Sequence, residues 1–207
     1  MSISLGARAG RMMRRGAVLT DVGSTKAVIA RELERAMPQG IDFVGAHPIA
    51  GSEQQGIGAA SAALFDGSVC IVTPTARTNP RALRRVESLW RPLVADLIRM
   101  TPARHDRVLA ATSHLPHLLA FCLADSVDAA PLLPKAPRSL LDMTRIARSS
   151  PQLWDDIFFS NRPALLQAIA RFDRRWRAYK DRLARGRRRE LTALLGRARA
   201  KRGALDD

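Results

Sequence analysis

The chain has 207 residues, 46% of them hydrophobic, and a formal net charge of +15. That length supports a real core, in one large domain or two small ones, and no uninterrupted apolar run reaches the roughly 18 residues of a membrane span. Cys70 and Cys122 have no Cys or His partner at metal spacing, which argues against a disulfide scaffold or zinc module and for two buried, reduced thiols in a cytoplasmic protein.

The N-terminus, "MSISLGARAGRMMRRGAVL", carries arginines without a long apolar stretch and is not read as a signal peptide. "GAVLTDVG" is a short apolar run ending at Gly23. "STKAVIARELERAM" follows as a helix, with Ile29, Leu33 and Ala36/Met37 on one face and Ser24 placed to cap its start. "IDFVGAHP" reads as the next strand, running up to His47 before a glycine-rich loop that carries Glu53. "AASAALF" reads as a short helix, "SVCIVTP" as a buried strand, and "NPRALRRVESLWRPLVADL" as a helix with Pro80 near its start. "LIRMTP" closes the series as a last strand. Strands alternating with helices predict βαβ units and a mostly parallel sheet.

After Thr101 the strand signals vanish, which places a domain boundary near Pro102. On a straight helix from Asp106, Ser113 and His117 each fall about 20° from Asp106 and form one polar stripe, with His114 roughly 80° away. Such a stripe serves equally as a satisfied internal network or as part of a site. A metal at His114/His117 lacks a third ligand in view. Pro116 predicts a kink near Thr112. Further on, Ser150-Pro151 reads as an N-cap and first helical position. Arg145 just before it suits either a carboxylate ligand or a plain ion pair. Leu165, Ile169, Phe172, Trp176, Tyr179 and Leu183 recur at spacings of four and three, as a core stripe or dimer seam.

From Arg171 onward fourteen Lys or Arg stand against five Asp or Glu. The surplus reads as a solvated basic face or a patch for an anionic partner. With no zinc-finger spacing or aromatic RNA-binding pattern, nucleic acid is not the expected ligand. "TDVGSTK" lacks the order of a phosphate loop. A strand ending in glycine before a helix start remains a polar cradle at the carboxyl end of a sheet.

Five stretches occur in order: "TDVGSTK", "FVGAHPIAGSEQQG", "LFDGSVCIVTP", "HDRVLAATSHLPHLLAF" and "DMTRIARSSPQLWDDIFFSNR". Together they resemble the prephenate dehydrogenase family, which includes the arogenate-using enzymes of tyrosine biosynthesis. The resemblance implies an α/β fold followed by an all-α one. A partial Rossmann-like dinucleotide-binding domain would span 1–102, and a helical substrate and dimerisation domain 103–207. It implies NAD or NADP as cofactor, prephenate or arogenate as substrate, a homodimer, no membrane, and oxidative decarboxylation to 4-hydroxyphenylpyruvate. By motif position, His47 would accept the ring-hydroxyl proton and Ser24 would contact the same hydroxyl near the nicotinamide. Arg145 would clamp a carboxylate, and His117 would help bind substrate. Asp106 would serve an ionic gate or supporting network, with Ser113 on the same stripe. Trp154 would pack near the side-chain pocket, and Glu53 would lie at its rim. Thr20, Asp21 and Ser24 would touch the cofactor.

The pattern departs at its start. The family's G-x-G-x-x-G turn has no counterpart, because only some 20 residues precede "TDVGSTK". "GIGAAS" from Gly56 does not follow a strand in the required way, and Ser150 stands where the family usually has an aspartate. The expectation is a dehydrogenase chain lacking its pyrophosphate segment. The alternative is a non-catalytic helical dimer whose basic C-terminal helix binds an acidic partner.

Overall fold

The alternation in "DFVGAHPI" sets the layers. In β2 (Asp42–Ile49), Val44 and Ala46 are buried on one face and Phe43 on the other. Successive strand side chains point to opposite faces, so His47 shares the Phe43 face. Residues 2–50, 60–127 and 135–204 are described in this computed structural model. They fall into two compact units, 1–165 and 166–207.

In the first unit the sheet order is β1 (Val18–Asp21), β2, β3 (Val69–Thr73) and β4 (Asp96–Arg99). On one face, Val44, Ala46, Cys70 and Val72 pack against Ala82, Val86 and Trp90 of α3 (Pro80–Trp90). On the other, Phe43 packs against Ile29, Ala30 and Leu33 of α2 (Ala27–Ala36), with Ile3 of α1 (Ser2–Met12) joining that core. The sheet is mixed. β1 pairs parallel to β2 and β3 parallel to β4, but β3 runs antiparallel to β2. The mostly parallel expectation fails at that pair. Parallel pairing needs a crossover, usually helical, and the expected helix in "AASAALF" is absent over its described part. Residues 62–67 are turns closed by i to i+3 bonds such as Leu64 N–H to the Ser61 carbonyl. Strand β2 also continues past His47, which lies opposite Ile71, while Pro48 lies opposite Cys70.

Helix α3 begins at Pro80 with Asn79 as its cap and stops at Trp90, since Pro92 cannot continue it. The end of "LVADL" goes into β4 instead. From Pro102 a continuous helical run follows: α4 (Pro102–Leu109), a π-helical segment (Ala110–His114) and α5 (Leu115–Asp125). The run is apolar and long enough to cross a membrane by composition alone. His105, Asp106 and His114 within it are buried and bonded to other elements, however. Near Thr112, where a kink is expected, the run widens into this π turn, just ahead of the N–H that Pro116 lacks. Cys70 is buried as expected, but Cys122 is exposed on α5. α6 (Arg138–Thr144), a 3-10 turn (Arg145–Arg148) and α7 (Pro151–Ser160) complete the unit. The Ser150 Oγ accepts the Leu153 N–H as N-cap of α7.

The second unit holds most of α8 (Arg162–Ala184) and α9 (Arg188–Gly203). Gly186, with φ of +63°, ends α8 in the left-handed conformation that glycine adopts freely. The Tyr179 hydroxyl donates to the Leu194 carbonyl across this hairpin. Within the predicted stripe, Phe172, Trp176 and Leu183 are exposed. The Phe172 and Trp176 rings lie nearly parallel, 6.4 Å apart.

Leu33 is 1% exposed at the centre of the α2 core. Leu33→Ala will lower unfolding free energy by about 2–5 kcal/mol, the range for a truncated core leucine. Urea titration of the 207-residue chain measures it.

Candidate active site

The sheet places His47 beside the helix that starts at Pro102. His47 Nδ1 lies 2.8 Å from His105 Nε2, with ring centroids 5.1 Å apart and planes tilted by 58°. His105 Nδ1 lies 2.8 Å from Asp106 Oδ1. The same carboxylate receives the N–H of Lys26 on Oδ1 at 2.8 Å and of Ala27 on Oδ2 at 2.9 Å. It therefore caps α2 from eighty residues away. Lys26, not Ser24, is the N-cap residue, and it makes no side-chain cap bond. The expected Ser24 cap is corrected on this physical ground: a buried carboxylate already fills the role.

Lys26 is fully buried, and its ammonium pairs with Asp21. Burial lowers its pKa, against the pull of Asp21. Gly45 makes room for it. A Cβ there would meet Thr73 Oγ1 at 2.6 Å and Lys26 Cδ at 3.4 Å.

These surroundings set the charges. Burial, then His105, Lys26 and His114, push His47 down to about 3. Burial, then His105 and His117, push His114 down to about 4, with Asp106 pulling the other way. For Asp106, burial would raise the pKa, but the bonds from His105, Ala27 and Lys26 outweigh it and hold the carboxyl below its usual range.

The π turn arranges a second cluster. Asn161 Nδ2 donates to the Asp106 carbonyl at 2.7 Å and lies 3.1 Å from His114 Nδ1. His117 Nδ1 donates to the Ser113 carbonyl at 2.9 Å. The His117 ring stacks on Trp154 with centroids 3.6 Å apart, and Trp154 meets His114 edge-on at 6.1 Å. Burial lowers the pKa of His117, and the nearby Arg145 guanidinium lowers it further. Neighbours thus run from His47 through His114 and His117 to Trp154 and Arg145.

The helical-wheel stripe does not survive as drawn. The π segment slips the phase between Asp106 and the residues after it, so His114, not Ser113, is the buried partner. Ser113 contributes its carbonyl. Asp106 is 4% exposed with both oxygens engaged, which makes it part of the supporting network that the sequence left open beside the gate. Thr20 and Asp21 end β1, and Ser24 lies half-exposed in the turn that follows. Glu53 lies outside the described residues. His105, Lys26 and Asn161 were not singled out from sequence. Their signals were adjacency, as the His of "HDR" and the Lys of "TDVGSTK", and nothing local for Asn161. Among the described residues no group of three His, Cys, Asp or Glu could hold a metal ion.

Thr20 Oγ1 and Asp21 Oδ1 are buried without a hydrogen-bond partner. The end of β1 thus holds polar atoms that its own surroundings leave unsatisfied, with Ser24 beside them. This suits the polar nicotinamide end of a dinucleotide. A glycine-rich strand-to-helix turn for the pyrophosphate is not among the described residues.

The depressed imidazoles make stability pH-dependent. Below about pH 6.5 the unfolded chain binds protons that folded His47 and His114 refuse, until about pH 3 and 4 respectively. Stability is full above pH 6.5 and falls as pH drops from 6.5 toward 4. Urea midpoints at pH 7.5, 5.5 and 4.5 will decrease in that order. A midpoint unchanged over this window contradicts neutral buried imidazoles.

Residues 5–99 match the family model described as "Prephenate dehydrogenase, nucleotide-binding domain", and residues 101–197 that described as "Prephenate dehydrogenase, dimerization domain". The prephenate dehydrogenase of Bacillus subtilis is 37% identical over 161 residues, which is 75% of this chain and 43% of that protein. The cyclohexadienyl dehydrogenase of Zymomonas mobilis is 35% identical over 77% of this chain and 56% of its own length. The chain thus spans about half the length of these curated relatives. The crystal structure of Aquifex aeolicus prephenate dehydrogenase with hydroxyphenyl propionate and NAD+ superposes with a TM-score of 0.90 and 32% identity, over 99% of this chain and 72% of that one. With both domain models matched in order over the α/β sheet and the helices that follow, the chain belongs to the prephenate dehydrogenase family.

Proposed function

We propose that this chain carries the substrate-binding and proton-accepting part of an NAD(P)-dependent prephenate or arogenate dehydrogenase, acting in the cytoplasm as a homodimer. The observation that carries it is the chain of hydrogen bonds from His47 through His105 to Asp106, with His47 held neutral. A neutral imidazole backed by a carboxylate is built to accept a proton. We keep the division at Pro102, with the cofactor side before it and the substrate and dimer helices after it.

Bound NAD(P) would supply the hydride acceptor for the carbon bearing the ring hydroxyl. Thr20, Asp21 and Ser24 would face its nicotinamide end. His47 takes the hydroxyl proton as hydride leaves that carbon, with Ser24 orienting the hydroxyl. Departure of the ring carboxylate as CO2 leaves an aromatic ring, so the residues need only orient groups and stabilise charge. Arg145 clamps a substrate carboxylate through its planar fork, next to His117 stacked on Trp154. The exposed Phe172, Trp176 and Leu183 of α8 favour a helical dimer seam.

Two measurements test this. In a form that carries an upstream pyrophosphate-binding segment, His47→Asn will lower kcat of NAD(P)-linked prephenate turnover by roughly 10²–10⁴, the worth of a general base. An unchanged kcat removes His47 from the role. In calorimetric titration of the 207-residue chain with 4-hydroxyphenylpropionate, Arg145→Ala will weaken binding about 10- to 100-fold, the worth of one hydrogen bond to a charged group. Equal affinity in both proteins defeats the clamp.

A further inference from the structure

His105 sits fully buried between His47 and Asp106, and the donors and acceptors along that line fix where the protons lie. Asp106 receives two backbone N–H groups at the start of α2. A carboxylate in that position is ionised and has no proton to give. The 2.8 Å contact from His105 Nδ1 must then be a donation by His105. A neutral imidazole carries one N–H, so His105 Nε2 is a bare acceptor. His47 Nδ1, 2.8 Å away, must donate to it. The remaining nitrogen of His47, Nε2, is left with its lone pair.

We propose that His105, anchored by Asp106, is a positioning residue that fixes His47 as the Nδ1–H tautomer and makes Nε2 its proton acceptor. The tautomer of a histidine is set by the bond its other nitrogen makes. Here that bond reaches a carboxylate only through a second imidazole. A cationic His105 would donate from both nitrogens and force the proton of His47 onto Nε2, abolishing the acceptor. The fully buried Lys26 ammonium already holds one positive charge in this cluster. Asp21 pairs with that ammonium, and the charge of Asp106 is met by the two N–H groups at the positive end of α2, so the cluster needs no proton on His105. Burial and the neighbouring His105, Lys26 and His114 likewise oppose a charge on His47.

The functional consequence rests on the reading of His47 as general base, but the tautomer does not, and it is read without substrate or cofactor. The chain has four histidines, so nitrogen-15 imidazole spectra of the 207-residue protein are assignable with His114→Gln and His117→Gln. At pH 7 the wild-type His47 is expected to show a protonated Nδ1 and a bare Nε2, and His105 the same pattern. His105→Gln keeps an acceptor for His47 and will preserve that pattern. His105→Leu removes it and will shift His47 toward the Nε2–H form, which free imidazole side chains favour. A wild-type His47 protonated on Nε2 overturns the proposal whether or not any variant folds, and so does a His47 pattern indifferent to His105→Leu. Loss of turnover in His47→Asn reports on the general-base role alone, so the two ideas fail separately.

Discussion

One carboxylate organises this molecule. Asp106 takes two N–H groups from the first turn of α2 and faces the N–H of His105. The first two join α2 to the helical run after Pro102, and His105 in turn reaches His47 on the sheet. The first backbone donors of a helix have no partners within the helix. Here a group from the other half of the chain satisfies two of them, and the helix dipole favours its negative charge. Position and protonation are therefore set together. A side chain without acceptor oxygens here would leave the N–H groups of Lys26 and Ala27 without an acceptor and His105 without an anchor.

A second buried charge depends on the same place in the sequence. Lys26 donates its backbone N–H to Asp106, while its ammonium turns to Asp21. An ammonium fully removed from water is tolerated only when paired. The missing side chain at Gly45 gives it the space. The short stretch from Asp21 to Lys26 thus ends a strand, turns, starts a helix and places a cation behind His47. Burial, His105 and that cation together keep His47 from taking a second proton.

The parts of this arrangement that sequence reveals are those with a local period. Strands of alternating or β-branched residues and the α2 stripe of Ile29 and Leu33 are found from spacing, because burial of one face imposes it. The boundary of layers is legible for the same reason. Strand direction is not. β3 reads identically whether it runs along β2 or against it, and only the pairing itself, His47 opposite Ile71 and Pro48 opposite Cys70, reveals the antiparallel arrangement. The polar stripe failed for a different reason. Helical-wheel angles assume one uniform step, and the π segment at Ala110–His114 breaks it, exchanging Ser113 for His114. The Ser24 cap failed because a local signal competed with a residue eighty positions distant. His47, Arg145, His117 and Trp154 stood out through motif resemblance, whereas His105 did not, since its role appears only once β2 is laid against α4. Asn161 carries no sequence signal. It bridges Asp106 and His114 through the packing of α7's end.

A base driven down to about 3 in the resting protein looks too weak for its task, since proton transfer works best near the operating pH. The geometry resolves this. In the resting site a second proton on His47 is opposed first by burial and then by its neighbours, the Lys26 ammonium among them. In the proposed reaction the proton would arrive at Nε2 while His47 Nδ1 already points at His105, and His105 Nδ1 at the Asp106 carboxylate. Positive charge appearing on His47 is therefore met along a line of hydrogen bonds ending in a fixed negative charge, in surroundings where such interactions are stronger than in water. An imidazole in this setting takes no second proton at neutral pH and keeps Nε2 open, and in the proposed reaction the driving force for filling it would come from the ring that becomes aromatic.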